Sequence, residues 1–248
     1  MEWRKECDFE LQNYLDVWRI CVSDFVPKIK ENMYLLSDVE VVRSESYIQE
    51  ADRNRYLIGR IYLRKLIASY LKVDPKEISF GFLEFNKPVL TTYSNFKFNI
   101  SHSGDYLIIG LANRWSVGVD IELMNSKVDL YNLIYNTMSS VEVRSILNSG
   151  LPREIFYKHW TRKEALLKGV GVGLTDRLKD INCCDGLNLV PSDLSSFATS
   201  WKIRNFVMDD SYAVSIAHDA AIRVLRFYEL SNNQPALSNH VEGSRKHN

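Results

Sequence analysis

The sequence is short of several things, and each shortage excludes something. Its four cysteines, Cys7, Cys21, Cys183 and Cys184, include no C-x-x-C pair, and the adjacent two do not readily bridge each other. Reduced thiols in a cytoplasmic protein are expected, not a disulfide scaffold or a zinc site. No apolar run approaches the ~20 residues that span a bilayer, so no membrane is expected. The opening MEWRKECDFELQN is too polar for a secretion signal. Charge of either sign is not in excess: 31 Lys and Arg balance 31 Asp and Glu. A non-specific nucleic-acid binder is therefore not expected. Neither G-x-x-x-x-G-K-[ST] nor G-x-G-x-x-G occurs, which excludes a P-loop and a Rossmann site. No Pro- or Gly-rich linker divides the chain.

What is present falls into two similar halves. Residues 15–22, LDVWRICV, alternate as a strand. In LLSDVEVVR, Ser37 with Glu40 three residues on spells a capping-box helix start. Residues 51–71 carry the strongest helical pattern, with Leu57, Ile61, Ile67 and Leu71 on one stripe. ISFGFLEF, FKFNISHS, YLIIGLA and SVGVDIE then read as strands separated by turn residues. Helical segments over 129–136 and 141–147 follow, and Pro152 opens a third that stops at Gly169. LKDINC, SWKIRNFVM, SYAVSIAH and IRVLRFYEL return to strand alternation. Long helix, strand, then NISHSGDYLIIGLA recurs as long helix, strand, then NFVMDDSYAVSIAHD. The expected fold is α+β: two tandem pseudo-symmetric halves, each a helix packed on a small antiparallel sheet, with the active site in the cleft between them. Residues 1–117 form the N-terminal half and 118–230 the C-terminal half. Residues 231–248 are polar and aperiodic, and are expected to be a disordered tail.

Four groups of residues carry the chemistry. Asp120 and Glu122, two apart on a strand, point to one face, where they repel unless a cation or a proton lies between them. Glu164 and Lys168 share a helix face in HWTRKEALLKG, with Trp160 four residues before and Lys163 adjacent. Alone, such a pair is an ordinary surface contact of ~0.3–0.5 kcal/mol. His102 ends an apolar strand between Ser101 and Ser103, an imidazole that suits a phosphate. Arg55, Arg60 and Arg64 lie on the long helix, and Lys87 precedes Pro88, which stiffens its loop. Oxygen-only acids suit Mg²⁺, and the cations suit a polyphosphate. Together they point to a Mg²⁺-dependent enzyme acting on a pyrophosphate-bearing substrate.

The order Arg55-x-x-x-Gly59-Arg60-x-x-x-Arg64, Lys87-Pro88, FNISHS, GVDIE and WTRKEALLK resembles the 4′-phosphopantetheinyl transferases, over residues 55–173. The length and tandem halves are similar to the Sfp type, a pseudo-dimer in one chain. The resemblance implies transfer of 4′-phosphopantetheine from coenzyme A to a serine of an apo carrier protein, with release of 3′,5′-ADP. It implies that Asp120, Glu122 and Glu164 hold Mg²⁺ (or Mn²⁺ in its place). Arg55, Arg60, Lys87, Pro88, Ser101, His102 and Lys163 would bind coenzyme A, so that the N-terminal half holds its phosphates and the C-terminal half the metal and catalytic helix. Lys168 would offset charge on the departing phosphate, and Glu164 or Glu142 would take the serine proton. A monomer is implied, since one chain holds both halves. The sequence departs from the pattern where some relatives carry lysines, with Tyr47 and Glu50 there, and at Asn86, which replaces a glycine. Two other readings compete: a binding module that docks carriers or coenzyme A without transfer, and a Mg²⁺-dependent nucleotide pyrophosphate hydrolase.

Overall fold

The computed structural model describes residues 2–125, 127, 129–173, 178–190 and 200–231. Apart from Ser231, the expected tail lies outside the described residues. The first half opens with β1 (Tyr14–Cys21), followed by the single turns α1 (Val22–Phe25) and α2 (Ile29–Asn32). The next helices are α3 (Asp38–Glu45) and α4 (Glu50–Leu71). At the start of α3, Ser37 and Glu40 make both bonds of the expected capping box. A two-stranded ribbon, β2 (Phe80–Phe82) and β3 (Pro88–Leu90), then leads into the hairpin β4 (Phe96–Ser103) and β5 (Tyr106–Asn113).

The second half repeats this plan. It opens with β6 (Val117–Leu123), followed by α5 (Leu130–Thr137), α6 (Ser140–Leu147) and the long α7 (Pro152–Val170). β7 (Gly186–Leu189) precedes the hairpin β8 (Ser200–Met208) and β9 (Tyr212–Asp219). The expected stop at Gly169 comes two residues later, at Gly171, whose φ of 92° is the left-handed cap that glycine adopts without cost. LKDINC, expected as a strand, instead begins with a single 3-10 turn, Leu178–Asp180.

One sheet has the order β10-β1-β5-β4 and the other β6-β9-β8-β7. In each, the strand that opens the half pairs antiparallel with the second strand of the hairpin, as β1 with β5 and β6 with β9. The exception is β10 (Val224–Glu229). It was assigned by sequence to the second half, but it crosses back and pairs parallel with β1, Val17 opposite Phe227. An ionic lock accompanies that return. Arg226 bonds Asp16 through Nε at 2.7 Å and Nη2 at 2.8 Å, and Tyr70 donates to the same carboxylate at 2.6 Å.

Apolar residues alternate on both faces of each sheet, so each sheet is covered twice. On one face of the first sheet Trp18, Ile109 and Leu111 pack with Ile58, Leu63 and Leu66 of α4. Its other face contributes Val17 and Ile108 to a core shared with Val117, Val119, Ile121, Val214 and Ile216 of the second sheet. On the far side, Leu166 and Leu167 of α7 meet Trp201 and Ile203 of β8. The layers therefore run helix, sheet, sheet, helix. This leaves the even-numbered residues of β6 facing α7, and Gly118 is why the two approach so closely. A Cβ there would lie 2.0 Å from the Ala165 carbonyl. No helix among the described residues is long and apolar enough to cross a membrane.

Candidate active site

β4 and β6 are edge strands of the two sheets, and no backbone ladder joins them among the described residues. Side chains of β4 serve instead. Asn99 Oδ1 accepts the Val119 amide at 2.8 Å, Ser101 Oγ the Ile121 amide at 3.4 Å, and Ser103 Oγ the Leu123 amide at 3.0 Å. These three alternate along one face of β4, while Ile100 and His102 point to the other. The seam also holds the paired acids of β6. Ser101 donates to Asp120 Oδ1 at 2.9 Å and Ser103 to Glu122 Oε2 at 2.9 Å. Spaced polar residues in an apolar strand were the available signal for Asn99 and Ser103, whose contacts sequence reasoning missed.

α7 completes the cluster. Lys168 Nζ lies 2.5 Å from Asp120 Oδ1 and 3.0 Å from Ser101 Oγ. Glu164, one turn earlier, is buried beside the same acids. Burial, then the Asp120 charge, pushes its pKa up to about 7 despite Lys168. Burial raises Asp120 as well, and Lys168 opposes that rise. Glu122 is raised by burial and by Asp120, while Ser103 and Trp160 bond its charged form. Two buried oxygens, Asp120 Oδ2 and Glu164 Oε1, have no hydrogen-bond partner. A buried carboxylate oxygen without a partner is costly.

That cost tests the fit of a cation. Among the described residues, no three acidic, histidine or cysteine side chains already enclose a metal position. Lys168 sits on Asp120 in its place. Partnerless carboxylate oxygens are the hard donors that Mg²⁺ takes, its other positions going to water and phosphate. Asp120, Glu122 and Glu164 supply oxygen donors of the kind the ion takes, but as placed they do not yet converge on one position.

On the opposite face of β4 lies a cavity of 770 Å³, walled entirely by the first half. That is within the size range of a ligand site. Arg43, Arg55, Arg60, Pro88 and His102 line it, with Tyr47 and Tyr56. The carboxylates therefore lie between the halves, but the adjoining cavity belongs to one of them. Arg55 donates to the Gly104 carbonyl at 2.9 Å and pairs with Asp52. Arg60 stacks over Phe80 at 4.1 Å and pairs with Glu40 at 2.5 Å, so it meets the cavity partly neutralised. Arg43 stands over Tyr56, 5.7 Å from the ring centre, on the same cavity wall as Tyr47. His102 is exposed at the cavity wall. Its pKa is nonetheless lowered, first by its partial enclosure and then by the Arg55 and Lys168 charges.

Three expected ligand or catalytic residues are held elsewhere. Lys163 is 0% exposed, so it cannot reach coenzyme A as expected. Its Nζ is 2.7 Å from Glu142 Oε2, 3.1 Å from the Thr137 carbonyl and 2.8 Å from the Leu178 carbonyl. Five residues separate it from Lys168, which turns it to another side of α7. Glu142, a candidate base, accepts Lys163 and closes the capping box of α6 through the Ser139 amide at 2.8 Å. The pair fastens α6 and the 3-10 turn to α7. Lys87, expected near a nucleotide, donates instead to the Gly169 carbonyl at 2.6 Å.

Comparison with known proteins covers both halves. Residues 22–113 match the family model described as 4′-phosphopantetheinyl transferase, N-terminal. Residues 116–217 match that of the 4′-phosphopantetheinyl transferase superfamily. The join falls between β5 and β6. The chain is 33% identical over 169 residues to slr0495 of Synechocystis sp., a 4′-phosphopantetheinyl transferase by name, across 66% of this chain and 68% of that one. It is 27% identical over 214 residues to the 4′-phosphopantetheinyl transferase HetI of Nostoc sp., across 84% and 88%. Against the L-aminoadipate-semialdehyde dehydrogenase-phosphopantetheinyl transferase of Rattus norvegicus it is 28% identical over 187 residues, across 70% and 57%.

Proposed function

Because the chain belongs to the 4′-phosphopantetheinyl transferase superfamily, we propose that it takes the phosphopantetheine arm from coenzyme A, with Mg²⁺ held by Asp120, Glu122 and Glu164. The acceptor is a serine hydroxyl of an apo carrier protein. The observation that carries the metal assignment is the pair of partnerless buried oxygens, Asp120 Oδ2 and Glu164 Oε1, beside Lys168. In the reaction the serine oxygen bonds to the β-phosphorus as the bond to 3′,5′-ADP breaks. Such a transfer needs positioning and charge stabilisation more than covalent catalysis.

Each residue then has a task. Arg43, Arg55 and His102 line the cavity and receive the phosphate-rich end of coenzyme A. When bound, the ion supplies positive charge to the pyrophosphate oxygens. The Lys168 ammonium meets the charge that builds on the departing phosphate. Glu164, buried beside Asp120 and Lys168, takes the serine proton. Glu142 is less suited to that task because Lys163 and the helix cap already engage it. Both halves of the site lie in one chain, so it works as a monomer.

The test is intact-mass analysis of apo carriers incubated with the chain, coenzyme A and Mg²⁺. The expected result is one phosphopantetheine arm per carrier serine, with 3′,5′-ADP released only when carrier is present, and no addition by Asp120→Ala. Release of 3′,5′-ADP without carrier would make the protein a hydrolase. Coenzyme A binding with no release would make it a binding module.

A further inference from the structure

The last four carbonyls of a helix find no partner within it and carry the negative end of its dipole. In α7 the Gly171 amide returns to the Leu167 carbonyl at 2.7 Å. The Gly169 carbonyl receives its donor from outside the helix. That donor is Lys87, which belongs to the other half of the molecule.

The loop that carries Lys87 fits against the helix end. Gly171 and Gly173 both have positive φ, and both lie under this loop. A Cβ on Gly171 would come within 3.2 Å of Lys87 Cδ, and one on Gly173 within 3.1 Å of Phe85 Cβ. Phe85 itself adopts a φ of 58°, a backbone strain that a loop keeps only where its surroundings fix it. The neighbouring Pro88 lines the 770 Å³ cavity. The loop thus spans from the cavity wall to the end of α7.

We propose that residues 83–88 form a positioning strap in which Lys87 caps α7 from across the seam and fixes Lys168 against Asp120. Lys168 directly precedes the capped residue, so the strap sets the height and rotation of the turn that carries its ammonium. The other side of the same turn is already fixed, because Gly118 of β6 lies against Gly169. Held from both sides, the turn keeps Nζ at 2.5 Å from Asp120 Oδ1. Burial and the nearby Lys97 lower the Lys87 pKa to about 8, which still leaves the ammonium protonated at neutral pH to donate the cap. Lys87 is therefore a positioning residue. It acts through Lys168, and it does not touch the nucleotide.

The kinetic part of this role rests on the transferase reading; the structural part does not. Lys87→Met keeps the length and apolar stem but removes the donor, and Lys87→Arg keeps a donor. Hydrogen exchange of the full chain, with no coenzyme A and no carrier, should show the amides of the last turn of α7 exchanging about tenfold faster or more in Lys87→Met. Lys87→Arg should exchange close to wild type. In turnover with coenzyme A and apo carrier, Lys87→Met should lose about 10- to 100-fold in kcat, the cost of a misplaced group. Its KM for coenzyme A should stay within about threefold, because no ground-state contact is removed. Unchanged exchange would overturn the proposal, even if the wild-type chain transfers nothing. A raised KM with kcat intact would overturn it too, by making Lys87 a nucleotide ligand. Global unfolding of Lys87→Met would also overturn it, since a single cap does not hold a fold together.

Discussion

Glu164 gives the seam a pH dependence that a single substitution isolates. Its side chain is 8% exposed, and burial holds its proton to about pH 7 against an ordinary value of 4.5. Between those values the unfolded chain releases a proton that the folded chain keeps. Stability therefore falls as pH rises through this window, and it is fully present only below about 4.5. At 1.36 kcal/mol per pH unit, the loss from this one group approaches about 3 kcal/mol above pH 7. Glu164→Gln is uncharged at every pH and lacks that slope. It also spares Asp120 and Glu122 the charge of a third carboxylate, so the difference between the two proteins is at least as large as the single-group value.

The assay is denaturant unfolding in chelator from pH 4.5 to 8, on wild type and Glu164→Gln. Other groups with shifted titration, such as His102 and Asp16, are common to both proteins and largely cancel in the difference. Wild type should lose about 3 kcal/mol more than the variant across the window. Adding Mg²⁺ should restore wild type at pH 8 and do little at pH 5, where protons already occupy the acids. Parallel stability curves for the two proteins would refute the reasoning.

Three further substitutions test the ion pairs outside the seam. Arg226→Met leaves Asp16, which is 0% exposed, without its counter-charge, and should cost about 3–5 kcal/mol in denaturant unfolding. Asp16→Asn placed on top should recover part of that loss, and a cost well under 1 kcal/mol for Arg226→Met would show the lock to be incidental. Lys163→Met strands Glu142 and should cost a similar ~3–5 kcal/mol while leaving the KM for coenzyme A unchanged. A raised KM at unchanged stability would return Lys163 to the ligand set.

Features set by neighbouring residues were legible in the sequence. The Ser37 and Glu40 box marked its helix, the stripe of Leu57, Ile61 and Ile67 marked α4, and the helix-then-hairpin pattern recurs in the two sheets, although β10 joins the first of them. Asp120 and Glu122 share a face because strand period requires it, and the same rule would have separated Ser101 from His102. Features that depend on distant partners were not legible. The alternating IRVLRFYEL reads as a strand, but nothing in it says that β10 returns to β1. A lysine beside Glu164 looks like a site residue until the carbonyls of Thr137 and Leu178, far away in the chain, are seen to surround it. LKDINC alternates, but its described turn is held by packing against α7, with Leu178 and Ile181 in that core.

The return of β10 to β1 has a consequence during synthesis. Residue 14 waits for residue 224, so the first sheet stays incomplete until about 210 further residues have left the ribosome. Until then β1 has an open edge, and Asp16 lies beneath α4 without the arginine that neutralises it. Pairing across so long a loop is slow. The first half, although first to emerge, would be the last to close. Its α4 and hairpin must hold together meanwhile, whereas the backbone ladder of the second sheet is drawn from strands between residues 117 and 219 alone.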